Sequence, residues 1–88
     1  MVKIVLPGVW AEGGKSTFDT EAGPLPEVVK RFVAENPAYR RRLLGPDQEP
    51  AGYLNVCIDD VLVPRQARAA TVVADGSTVT IIPPMAGG

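Results

Sequence analysis

Histidine is missing from these 88 residues, which removes the commonest general base and metal ligand. Cysteine occurs once, at Cys57, so the chain forms no internal disulfide and carries no paired CxxC for redox or zinc chemistry. A marked excess of either charge is also missing: the net charge is −1, which excludes a general draw toward nucleic acid or an anionic membrane. No apolar run approaches the length of a membrane span, and the first residues lack a signal-peptide pattern, so a cytoplasmic location is expected. A small chain without these tools rarely performs chemistry alone. The expectation is not an enzyme but a substrate, a carrier or a binding module.

What is present describes one domain. Hydrophobic content is 45% and charged content 22%, as in an ordinary soluble globule. A chain this short buries about 60–65% of its unfolded surface, enough for one modest core. That core is expected over residues 1–82, with residues 83–88 as an extended tail.

The tail is the most specific stretch. Val79-Thr80-Ile81-Ile82 are strand formers, and Pro83-Pro84 follow directly. Proline fixes φ and has no N–H, so the strand cannot continue into a ladder there. The chain should leave the body as a stiff, polyproline-like stalk through Met85 and Ala86 to Gly87-Gly88. Two residues without side chains are thin enough to enter a narrow cleft, and the tip is a carboxylate. At about 3.1 Å per residue, six residues reach roughly 19 Å, far enough to enter a partner's active site.

Taken in order, Val2 to Leu6 read as a buried first strand ended by Pro7-Gly8. Val9 to Gly14 form a turn region, and Lys15 to Glu21 a second strand that closes a hairpin. Ala22-Gly23-Pro24 is a break. Leu25, Val28, Val29, Phe32 and Val33 then fall at helical spacing, so Leu25 to Asn36 form the main helix. Pro26 suits its first turn, Glu27 suits its positive dipole end, and Asn36-Pro37 stops it. Ala38 to Leu44 read as a short helical turn, and Gly45 to Gly52 as a polar loop. Tyr53 to Asp59 form a third strand with Leu54, Val56 and Ile58 inward and Tyr53, Asn55 and Cys57 outward. Asp59-Asp60 turn into a short fourth strand, Val61 to Val63. Arg65 to Ala74 cross over to the Asp75-Gly76 turn. The last strand runs from Thr78 to Ile82, with Val79 and Ile81 inward and Thr80 and Ile82 outward. An outward Ile82 beside the stalk hints at a docking patch.

Three tempting signals carry less. Gly14-Lys15-Ser16-Thr17 looks like the end of a phosphate loop, but the required earlier glycine position holds Val9, and a strand rather than a helix follows. Arg40-Arg41-Arg42 is the only dense basic run and reads as a solvated face beside Leu43-Leu44. Cys57 reads as a small packing residue, since neighbouring Asp59 and Asp60 supply no positive charge to activate it.

The order of strand pair, helix and strand pair matches an α+β, ubiquitin-like β-grasp, a mixed sheet of four to five strands on one main helix. Particular residues carry a resemblance within that fold. Asp75-Gly76-Ser77-Thr78-Val79-Thr80-Ile81-Ile82-Pro83-Pro84 resembles the final strand of the ubiquitin-like sulfur-carrier proteins of the ThiS/MoaD group. Met85-Ala86-Gly87-Gly88 is similar to that family's terminal segment, and Leu54-Asn55-Val56-Cys57-Ile58-Asp59-Asp60 to its central strand and turn. Arg42-Leu43-Leu44 and the loop before Tyr53 look most like the carrier of thiocarboxylate-dependent cysteine biosynthesis. The Pro-Pro pair is equally similar to the small subunit of molybdopterin synthase. A ubiquitin-like protein modifier is a further alternative.

The resemblance implies a mechanism and partners. An E1-like enzyme would adenylate the Gly88 carboxylate with ATP, and a sulfur donor would convert it to a thiocarboxylate. A sulfur-accepting biosynthetic enzyme would then take in the tail. By this resemblance Gly88 bears the reactive group and Gly87 lets the tip fit. Ala86 and Met85 line the entrance, and Pro83-Pro84 set reach and direction. Thr80 and Ile82, with Asn55 and Cys57, face the activating enzyme. No bound cofactor, metal, nucleic acid or membrane is expected.

Overall fold

In a computed structural model, which describes residues 1–10 and 15–83, the chain folds as a five-stranded mixed sheet with one main helix across it. The strands are β1 (Val2–Val5), β2 (Thr17–Thr20), β4 (Asn55–Ile58), β5 (Val61–Val63) and β7 (Thr78–Ile82). Their spatial order is β2-β1-β7-β4-β5. The helix α1 (Leu25–Glu35) follows the first hairpin, and a single turn, α2 (Arg40–Leu43), follows a 3-10 turn at Pro37–Tyr39. This is the ubiquitin-like β-grasp anticipated above.

The apolar alternation dictates the layering. Val2 and Ile4 of β1, Val56 of β4 and Val79 and Ile81 of β7 all point at the helix and are buried. Leu25, Val28, Val29, Phe32 and Val33 of α1 meet them. Phe32 is fully buried, and its ring lies 5.1 Å from that of Phe18 and 5.8 Å from that of Tyr39. Edge-to-face and offset aromatic contacts add to the area such rings bury. Trp10 closes this end of the core, where its carbonyl accepts from the Tyr39 hydroxyl at 3.4 Å.

Asn36 ends the helix by two routes at once. Its backbone N–H and its side-chain Nδ2 both donate to the Phe32 carbonyl, at 2.9 and 3.1 Å. The other end departs from expectation. Gly23-Pro24 is not a plain break but a two-residue strand, β3, paired antiparallel with β6 (Val72–Val73). Pro24 has no side chain able to cap, so the Leu25 N–H instead donates to the Thr71 carbonyl at 2.8 Å. A helix start needs partners for its free N–H groups, and the crossing segment supplies one.

The remaining turns follow their residues. Asp59 and Asp60 hold φ of 48° and 68°, the pair of left-handed residues that a two-residue hairpin turn needs. The segment expected to cross over at Arg65 to Ala74 forms a 3-10 helix, Arg65–Ala70, before β6. After Lys15-Ser16 comes strand β2, not the helix start that a phosphate loop requires. Residues 11–14 lie outside the described residues. Among the described residues no helix is long and apolar enough to cross a membrane.

Candidate functional site

Strand β7 sits in the middle of the sheet, parallel to β1 on one side and antiparallel to β4 on the other. It is the strand that leads into the tail, and it is held along its whole length. The ladder with β4 runs through four pairs, from Ile58↔Val79 to Asn55↔Ile82. Its start is clamped by the β4–β5 turn. The Thr78 N–H donates to Asp59 Oδ1 at 2.9 Å, and the Asp59 N–H donates to the Thr78 carbonyl at 2.9 Å. Pro83 follows the last pair, and having no N–H it takes no further part in a ladder. The tail residues Pro84, Met85, Ala86, Gly87 and Gly88 lie outside the described residues.

The strand registers assemble an outward face. Val5 stands opposite both Thr17 and Thr80, Thr80 opposite Cys57, and Cys57 opposite Leu62. Directly opposed residues share one face of a sheet, so these five form a row across it. Ile82 and Asn55 stand beside that row at the end where β7 stops. Leu62 is 56% exposed and Ile82 41% exposed. Thr80, Val5 and Cys57 are half-buried. Thr80, Ile82, Asn55 and Cys57 are therefore brought together as the alternation predicts. Val5 and Leu62 join them and were not anticipated. Their own strands carry the signal, but only the β1–β7 and β4–β5 registers show that they border Thr80 and Cys57. The face is weakly polar and apolar at its centre, with the cross-strand neighbours Lys3 and Asp19 at one margin.

Other candidates resolve structurally. Arg40 and Arg41 are exposed, and Arg42 lies over the Trp10 ring, its guanidinium carbon 5.2 Å from the centroid. Arg42 thus lids a core aromatic, a cation–π contact that serves packing. Lys15 stands 5.0 Å over the Phe18 ring. Cys57 is a free thiol flanked by Thr80 and Leu62. Among the described residues no cluster of histidine, cysteine or carboxylates could hold a metal.

Among the described residues, electrostatics is perturbed at two other places. Lys30 on α1 meets Glu49 at 2.5 Å and Glu27 at 4.0 Å, and the hydrogen bond it donates to Glu49 raises its pKa above the ordinary lysine value. Arg68 is the opposite case. It is 8% exposed, and burial, with Arg65 nearby, lowers its pKa from the usual arginine value.

The sequence profile of the ThiS family matches residues 10–88. No curated protein matches the chain. Among solved structures, the Amycolatopsis orientalis BexX/CysO complex contains a chain 23% identical, with a TM-score of 0.81 and 100% of both chains covered. Mycobacterium tuberculosis CysO, described as an antigen, is 25% identical with a TM-score of 0.78, covering 97% of this chain and 100% of that one. The complex of subunits 1 and 2 of the molybdopterin-converting factor from Helicobacter pylori gives 21% identity and a TM-score of 0.65, covering 99% of this chain and 97% of that one. Two of these three folds were solved in complex with another protein.

Proposed function

This chain belongs to the ThiS family, and on that premise we propose that it is a sulfur carrier, activated at the Gly88 carboxylate by a separate enzyme. The observation that carries the reading is that the family match runs through the tail to residue 88, over a fold whose central strand leads into that tail. A carboxylate is a poor electrophile because its charge is delocalised. An E1-like enzyme supplies the missing activation: a carboxylate oxygen attacks the α-phosphorus of ATP, pyrophosphate leaves, and an acyl-adenylate forms. A sulfur nucleophile then displaces AMP and leaves a thiocarboxylate on Gly88. The sulfur is the better nucleophile and travels attached to protein rather than as free sulfide. A second, biosynthetic enzyme takes in the tail and lets that sulfur attack an activated substrate.

In this scheme the chain's own residues position and recognise rather than catalyse. Gly87 lets the tip fit, Ala86 and Met85 line the entrance, and Pro83-Pro84 set reach and direction. The outward face of Thr80, Ile82, Val5 and Leu62 supplies a docking surface beside the tail. ATP belongs to the activating enzyme, and the carried group is the thiocarboxylate.

The test is direct. Incubation with a cognate adenylating enzyme, ATP and a sulfide source should raise the intact mass by roughly 16 Da, one oxygen exchanged for sulfur. Adding one residue after Gly88 should abolish the shift. An unchanged mass with a demonstrably competent enzyme refutes the proposal.

A further inference from the structure

Arg68 is the one charged side chain buried among the described residues. Its Nη1 donates to the Ala51 carbonyl at 3.3 Å, and its Nη2 donates to the Leu54 carbonyl. Its Nε is buried without a partner, and among the described residues no carboxylate pairs with it. A guanidinium carries five N–H donors and prefers a carboxylate in fork geometry. Burying the cation with only carbonyl dipoles leaves it uncompensated.

A second guanidinium stands beside it. Arg65 begins the same 3-10 segment, is exposed, and among the described residues forms no ion pair. It lies flat over Gly52, where a Cβ would sit 2.8 Å from its Nε. Glycine at that position therefore gives the Arg65 head its place. The two arginines line an open groove of about 560 Å³, walled by Pro46, Pro50, Ala51 and Tyr53. That volume falls within the usual range for a ligand site.

Two carboxylates stand on the rim, and both are engaged. Glu49 is paired with Lys30, and Asp47 Oδ1 accepts the Glu49 N–H at 3.1 Å. Their presence disfavours a dianion or a polyanion, and the apolar walls disfavour a fully hydrated inorganic ion. A single carboxylate on an otherwise apolar group fits both features. Placement narrows the source. Tyr53 lies two residues before Asn55, the last partner of β7, so the groove wall is no more than about 7 Å from the residue that stands opposite Ile82 at the tail's exit. That puts the groove within reach of a protein that receives the tail.

We propose that the groove between Arg65 and Arg68 is a second docking site, which takes an aspartate or glutamate side chain from the protein that receives the tail. This rests on the carrier reading for the partner's identity, but the binding chemistry is measured without it. The probe is N-acetyl-glutamate amide, with one carboxylate, titrated into the ¹⁵N-labelled full chain with no ATP or enzyme present. Saturable shifts are expected at Gly52, Tyr53, Arg65 and Arg68, about tenfold weaker with N-acetyl-glutamine amide. Arg65→Gln should abolish the response. Gly52→Ala should weaken it too, because the new methyl displaces the Arg65 head and leaves its charge in the protein. Equal response to the glutamine probe overturns the proposal, since the groove would then be merely apolar. Equal or stronger response to inorganic phosphate also overturns it, as diffuse attraction. Shifts in a protein that cannot be thiocarboxylated would leave the groove standing and remove the carrier reading; thiocarboxylation without shifts would do the reverse.

Discussion

Replacing Arg68 by methionine separates two opposed effects of a buried charge. Methionine keeps much of the apolar stem and removes the guanidinium. The Leu54 carbonyl then loses its donor, and Leu54 is 3% exposed. The Ala51 carbonyl loses less, because it still accepts from the Leu54 N–H at 3.3 Å. An unpaired buried acceptor costs about 1–3 kcal/mol, so the Leu54 side of the loss alone is about 2 kcal/mol. The Ala51 side adds less than one further kcal/mol, roughly a weakened shared hydrogen bond. Against this, removal of an uncompensated cation relieves its desolvation, which lowers the net cost. The expected result is a destabilisation of about 1–2 kcal/mol, or a Tm lower by about 4–16 °C for a domain of this size. Thermal and urea unfolding followed by circular dichroism give both numbers, and an unchanged m-value would show that the loss is native-state. Arg65→Met is the control and should move Tm by little, since that side chain is exposed. If Arg68→Met leaves Tm unchanged or raises it, the carbonyl contacts are not what the arginine is kept for. The account of how the loop before β4 is held would then be wrong.

Three further outcomes test other parts of the structure. Lys30 has a raised pKa in the fold, so its contribution to stability is in full below the ordinary lysine pKa of about 10.4 and is lost as pH climbs through the higher folded value. The stability gap between the native chain and Lys30→Met should therefore be flat from neutral pH to about 10 and narrow above it, as read by urea unfolding at each pH. Asp60→Gly relieves a non-glycine residue at φ of 68° in the β4–β5 turn and should raise stability by about 0.5 kcal/mol, a Tm gain of roughly 2–4 °C. Ile82→Asp and Leu62→Asp place charge on the exposed outward face and should leave Tm within a few degrees. They should nonetheless raise KM for activation by the adenylating enzyme at least tenfold, since a buried unpaired charge at an interface costs more than about 2 kcal/mol. Unaltered KM in both would remove this face from the docking surface.

The chain's periodicities made most of the architecture legible. Period-two runs at Val2–Leu6, Leu54–Ile58 and Thr78–Ile82 and a period-3.6 run from Leu25 gave the strands and the helix with the correct inward faces. These are local patterns, each set by which face of one element must leave water. Proline after Ile82 and the aspartate pair at 59–60 likewise act within a few residues, so the end of β7 and the hairpin turn could be read directly. The grouping of Thr80, Ile82, Asn55 and Cys57 followed from alternation once two strands were taken as neighbours.

Other features were decided only when distant segments met. Gly23-Pro24 has no strand propensity, yet it pairs with Val72-Val73 because the start of α1 requires a backbone partner. Val5 and Leu62 join the outward face through registers that no single strand encodes. Nothing local in the crossing segment Arg65 to Ala74 marks Arg68 for burial. It is buried because the carbonyls of Ala51 and Leu54, fourteen to seventeen residues earlier, converge on its position. The physical reason is range. Backbone sterics and the hydrophobic period act over a turn or a strand, whereas hydrogen-bond partners and burial depend on which segments pack together, and that is a property of the whole fold.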